Sequence, residues 1–272
     1  MGDGRLAAVR TWLEELSRRR ALALVAGTLV AILVLAGVAF SVYFGVLGLQ
    51  APPGVEEAVR ADPNVTVETA YGGYVVHDAD PGAETLGIVF YPGGRVAPDA
   101  YLPSAAAIAT RANATVFVPG MPLNLAVFDP SRADAVVAGE PQISRWVVGG
   151  HSLGGAMACR YAADNADRVD GLLIVGAYCD RPVRGMPGLA VVGTRDAVLD
   201  REQFEATRGN LPTPRRVVFV EGMNHSQAGW YTGQRGGQPA TISTPEAHRR
   251  LADEVAGWLC AELEHCESDS PG

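Results

Sequence analysis

The chain has 272 residues, enough for one large mixed domain or two small ones, and 48% of them are hydrophobic. Its net charge is −8, it contains no lysine, and past the first twenty residues acidic groups outnumber arginines, which excludes a nucleic-acid partner for want of a basic patch. Its four cysteines have no metal-ligand spacing beside a histidine cluster, so neither a metal nor any other cofactor is expected.

Arg18, Arg19 and Arg20 precede an uncharged, almost wholly apolar run over residues 21–49. About 20 such residues cross a bilayer. A signal peptide would have an apolar stretch of about 7–15 residues and a small-x-small cleavage site. Here the run is longer, and Gly48-Leu49-Gln50-Ala51 offers no such site. The run therefore reads as a single transmembrane helix, 21–49, that ties the protein to the cell membrane, with a buried core helix as the alternative. The arginines keep the tip, 1–20, cytoplasmic and place the chain from about residue 51 onward outside. Residues 50–63, with Pro52, Pro53 and Pro63, read as a linker, and 64–272 as one globular domain.

Within that domain short apolar runs alternate with helical ones. Strands are expected at 74–77, 86–91, 114–118, 145–148, 172–175, 189–192 and 217–220. Helices are expected at 98–111, 130–138, 153–164, 200–208 and 245–264. Such alternation predicts an α/β fold, a mostly parallel sheet with helices on both faces. Only about a dozen residues separate the strands at 172–175 and 189–192, so no cap domain fits there. Cys260 and Cys266 are the expected disulfide pair if the domain lies outside the membrane, while Cys159 and Cys179 are expected as buried thiols.

The chemistry centres on Gly150-His151-Ser152-Leu153-Gly154-Gly155, between a strand and an alanine-rich helix. Strand, G-x-S-x-G, helix is the layout of a nucleophile elbow, where glycines make room and the serine hydroxyl is exposed on a strained turn. A serine needs a base, and the base an orienting acid. Of the histidines downstream, only His225 directly follows a strand; His248 falls in the last helix and His265 in the tail. Two acids compete, Asp196 after one strand and Asp180 after the preceding one, with Asp196 favoured because Gly-x-x-Asp puts a carboxylate on a tight loop. Asp200 reads as a helix N-cap. An oxyanion hole needs two backbone donors. Leu153 supplies the first, and Gly94, in Pro92-Gly93-Gly94-Arg95 after a strand, the second, with Arg95 as an alternative donor or anion-binding group.

These motifs make the chain resemble the α/β-hydrolase superfamily, and within it the compact, cap-less group often called the family-5 α/β hydrolases. The resemblance spans about residues 86–259. It rests on Tyr91-Pro92-Gly93-Gly94, on 121–128, on the elbow, on 193–196, on Gly222-Met223-Asn224-His225, and on Gly233-Gln234 and 239–243. It implies Ser152, Asp196 and His225 as a catalytic triad. Many superfamily members have His-Gly at the oxyanion loop, where this chain has Pro92-Gly93.

Three functions are expected from this pattern. The first is a membrane-anchored serine hydrolase of carboxylic esters or related acyl bonds, working on a small-molecule substrate through an acyl-enzyme. The second is an acyltransferase using the same triad. The third is a non-catalytic binding protein displayed on the membrane. Met121, Tyr178 and Trp230 fall on loops near the expected mouth and are the candidate substrate-binding residues, with Leu123 and Tyr231 beside them.

Overall fold

The computed structural model describes residues 3–80 and 86–266. The chain divides into two compact units, 1–46 and 47–272. The first is one long helix, α1 (Asp3–Ser41), ending in a π turn (Val42–Val46). Its stretch Arg20–Val46, 27 residues, has the length and composition to cross a membrane and is 0% buried. A helix from a soluble core would be largely buried, so that alternative does not hold.

The second unit is built on eight strands: β1 (Val65–Ala70), β2 (Gly73–Asp78), β3 (Leu86–Tyr91), β4 (Ala114–Val118), β5 (Arg145–His151), β6 (Gly171–Val175), β7 (Gly188–Gly193) and β8 (Arg215–Val220). Their order across the sheet is β1-β2-β4-β3-β5-β6-β7-β8. β1 and β2 pair antiparallel, as do β2 and β4, and every other pair is parallel. The central strands β3, β6 and β7 are apolar and buried along their whole length because helices cover both faces.

Alternate residues of one strand serve opposite cores. Ile88 and Phe90 pack under α3 (Leu102–Ala112) and α7 (Thr244–Leu263), against Ile108, Leu251 and Trp258. Val89 and Tyr91 face the other way, into a core completed by α4 (Arg132–Gly139), α5 (Leu153–Asp164) and α6 (Arg201–Thr207) through Val136, Met157 and Phe204. Trp258 is fully buried, and truncating it to alanine should cost about 3–5 kcal/mol.

Three features differ from the sequence expectations. Residues 50–63, read as a linker, contain an additional helix, α2 (Val55–Arg60), entered through Gly54 at φ 84°. Val59 gives this helix a reason to form, since it packs on the first core. Strand β1 is also additional. Its alternating Val-Thr-Val-Glu-Thr-Ala suits an edge strand, and Tyr71 and Gly72, both at positive φ, turn it into β2. Finally, Cys159 and Cys179 are not thiols but a disulfide with Cα atoms 5.4 Å apart. Twenty residues separate them in sequence, but α5 runs back beside β6 and brings them together. Cys260 and Cys266 form the second disulfide.

Candidate active site

Ser152 sits between β5 and α5 with φ 52° and ψ −123°. A non-glycine residue at positive φ costs on the order of 1–3 kcal/mol and persists only where the surroundings enforce it. Here its N–H donates to Val175 O on β6 (3.0 Å), and its carbonyl accepts the first bond of α5, from Ala156 (3.1 Å). The helix also lies close against β3: a Cβ on Gly154 would collide with Tyr91 O and Pro92 O, and one on Gly150 would meet Tyr91 O at 2.7 Å. Those two glycines permit the turn that the sequence pattern implied.

His225 and Asp196 come together in a buried pair, Nδ1 to Oδ2 at 2.8 Å. Asp196 ends the turn after β7, and its Oδ1 accepts the N–H groups of Val198 and Leu199, both at 2.9 Å. Burial alone would raise this carboxyl. The His225 bond and the two backbone donors outweigh it, and Asp196 lies below the usual carboxylate range. It is therefore an anion with both oxygens engaged, and its bond to Nδ1 leaves Nε2 of His225 as the basic nitrogen. His225 opens a short 3-10 turn (His225–Ala228) whose start is fixed by a reciprocal pair between Asn224 and Gln227. Gln227 is held in turn by Ile242 O at 2.9 Å.

Asp180 is elsewhere. It faces solvent in a two-nitrogen ion pair with Arg160, at 3.0 and 2.6 Å. Asp200 accepts the Gln203 N–H at 2.9 Å, as an N-cap does.

A cavity of about 300 Å³ opens on Ser152 and His225, lined also by Ala156, Ala177, Tyr178, Val198 and Leu199. Of the three candidate substrate contacts, Tyr178 alone reaches it. Met121 is buried among Phe117 and Ala126 in the second core. Trp230 is held away, its backbone N–H donating to Ala100 O at 2.6 Å and its ring edge-on to His248 with centroids 6.3 Å apart. It lines a larger cavity of about 510 Å³, with Val55, Val59 and Ala107, that contains neither Ser152 nor His225. Both placements have one cause: an apolar side chain near a loop satisfies a core as well as a mouth.

The loop after β3 carries Gly94, the second donor expected from the sequence. The Gly93 N–H is engaged by the Tyr101 hydroxyl (2.8 Å) and that of Arg95 by Asn124 O (2.8 Å). Among the described residues neither Gly94 nor Leu153 donates its N–H to a protein acceptor. The two are adjacent, since a Cβ on Gly94 would lie 3.2 Å from Leu153 Cδ2. The Arg95 guanidinium reaches back to Leu47 O at 2.9 Å.

Two contributors are not evident from the motifs. Gly176 follows β6 at φ 54°, and a Cβ there would press on Asp196 Oδ2 (2.9 Å) and His225 Nδ1 (3.1 Å). A glycine directly after a buried strand was the available signal. The second is Tyr101, fully buried, whose hydroxyl accepts from Gly93 and donates to His151 Nδ1 at 2.9 Å. Burial first, and the neighbouring His225 second, hold His151 well below the ordinary histidine range, so it is a neutral ring. Its centroid lies 4.3 Å from that of His225.

A mostly parallel sheet whose fifth strand breaks into a helix at a strained serine defines an α/β hydrolase. The chain belongs to that family: residues 87–249, more than half its length, match the Alpha/beta hydrolase family. No curated protein matches it in sequence. Among solved structures it is similar to the esterase domain of a Rhodothermus marinus protein (TM-score 0.54, 13% identity, 73% of this chain and 99% of that one). It is similar too to a hormone-sensitive lipase from a metagenome library (0.54, 17%, 76% and 90%). A dienelactone hydrolase from Anabaena variabilis aligns over 73% of this chain and 99% of that one (0.53, 17%). At such identities the likeness is one of fold.

Proposed function

We propose that the protein is a serine hydrolase of short carboxylic esters, held on the membrane by α1. The observation that carries this reading is the buried His225–Asp196 pair opening onto the same small cavity as Ser152 at positive φ. His225 Nε2 takes the hydroxyl proton as Ser152 Oγ attacks the ester carbonyl, and Asp196 holds the imidazole in the required tautomer and balances its charge. The tetrahedral oxyanion accepts hydrogen bonds from the N–H groups of Gly94 and Leu153. Collapse expels the alcohol with the proton from His225. Water, deprotonated by the same nitrogen, then attacks the acyl-enzyme and releases the acid and Ser152.

A site of about 300 Å³ stands at the low end for ligand cavities and has apolar walls, which favours a short acyl or alcohol group. For the membrane, Arg18 to Arg20 flank an unburied apolar helix, and positive charge stays inside. Two disulfides agree with an external domain. The test is turnover of p-nitrophenyl esters of rising chain length, with fluorophosphonate labelling of Ser152. Acetate and butyrate should be cleaved faster than palmitate. A folded protein that neither labels nor cleaves any of them would overturn the reading.

A further inference from the structure

The stretch that leaves the apolar helix is built into the site. Leu49 forms a parallel bridge with Val96, its N–H donating to Arg95 O (2.6 Å) and its carbonyl accepting from Ala97 N–H (2.8 Å). Ala51 N–H donates to Asp99 Oδ2 (3.1 Å), and Leu47 O accepts the Arg95 guanidinium (2.9 Å). Gly48 is packed tightly enough that a Cβ there would meet Asn124 Nδ2 at 2.7 Å, and Asn124 is the residue whose carbonyl fixes Arg95 N–H. Four hydrogen bonds from five consecutive residues thus converge on 95–99, beginning one residue past Gly94.

We infer that residues 47–51 are a positioning strap for the oxyanion loop, so that the chain emerging from α1 sets how well Gly94 N–H meets the transition state. The inference rests on the serine-hydrolase reading. A loop of two glycines has no side chains to hold its own shape, and an oxyanion donor is worth most when it needs no rearrangement during reaction. Leu49 supplies the missing constraint through its backbone. Its side chain adds partial burial against the first core. The strap also gives the segment a reason to be kept: cleavage anywhere past Leu49 would remove both bonds of the bridge.

The test uses the full chain in detergent. Leu49→Pro deletes the N–H that binds Arg95 O, whereas Leu49→Ala keeps both backbone bonds. Leu49→Pro should lower kcat by ~10-fold or more at an unchanged KM, as a displaced catalytic donor does. It should also speed amide exchange at Ala97, while Leu49→Ala keeps most of the turnover and the Ala97 protection. Wild-type kcat in folded Leu49→Pro would overturn the strap, and so would a Leu49→Ala variant as slow as the proline one. If Leu49→Pro does not fold, Asp99→Ala, which frees Ala51 N–H, decides: kcat reduced at constant KM supports the strap, and kcat unchanged overturns it. Failure of the functional reading looks different, because then the unmodified protein has no ester turnover to compare.

Discussion

The two halves of the proposed site are held in different ways. On the acid–base side, each residue is fixed by the turn it belongs to: Asp196 by its own loop amides at Val198 and Leu199, His225 by the Asn224–Gln227 pair one residue before it and two after. On the proposed oxyanion side, the neighbours of Gly94 are held by other segments: Gly93 by Tyr101, and Arg95 by Asn124 and Leu49. Local turn chemistry fixes most of the first half, with Ile242 O behind Gln227 and the bare Gly176 beside Asp196 and His225 as its supports from outside. The second half is an assembly, and loosening any one segment shifts a donor rather than deleting it.

The most severe way to break the comparison is to remove the group both halves serve. Ser152→Ala should lower ester turnover by ~10⁴-fold or more and abolish fluorophosphonate labelling, because nucleophile and base act as a unit. Labelling that persisted would place the nucleophile elsewhere. On the acid–base side, Asp196→Asn should cost ~10⁴-fold in kcat by holding the wrong histidine tautomer. Asp180→Asn, by contrast, breaks only a solvent-facing ion pair worth under ~1 kcal/mol. Parallel kinetics on both variants check the assignment, and a larger loss in Asp180→Asn would reverse it. On the oxyanion side, Tyr101→Phe leaves Gly93 N–H and His151 Nδ1 without their partner. A kcat reduced ~10-fold at near-constant KM is expected, the signature of a shifted donor. A loss as deep as that of Asp196→Asn would erase the distinction between the halves.

The gentlest probe is pH. His248 donates from Nε2 to Gly229 O (2.9 Å), directly after the His225 turn, and burial lowers its pKa to about 4 from 6.5. The unfolded chain therefore takes up this proton first as pH falls. Its neutral burial costs nothing above about 6.5, and stability is lost progressively from there down to about pH 4, by about 3 kcal/mol in all. His151, also held neutral by burial, adds to the same acid limb. Thermal melts from pH 7 to 4 should show the decline, and His248→Gln, which keeps a donor for Gly229 O, should flatten it. An unchanged slope in that variant would assign the acid sensitivity to other groups.

Legibility in the sequence divides along the same line. Ser152, Asp196 and His225 could be picked out because each stands a few residues past an apolar strand, within a turn whose glycines are its own signature. Strand 86–91 was readable to the residue, since burial on both faces leaves an unbroken apolar run, and 114–118 was too, interrupted only by Thr115. Strand β1 escaped because an edge strand alternates with polar residues and resembles a loop. Leu49 escaped for a subtler reason: its contribution is two backbone bonds, identical for any non-proline residue, and it lies inside a run whose composition speaks of lipid. Trp230 and Met121 lie outside the Ser152 cavity because hydrophobicity has no direction until the chain is folded.

The Cys159–Cys179 bond links the helix that begins at Ser152 to the loop carrying Tyr178. Such bonds do not survive in a reducing cytosol. On the proposed reading, a newly made chain meets the bilayer with its nucleophile helix and its substrate wall still independent of each other. On that reading maturation is finished by the oxidants of the compartment that receives the domain, and reductant should return the protein to its newborn condition.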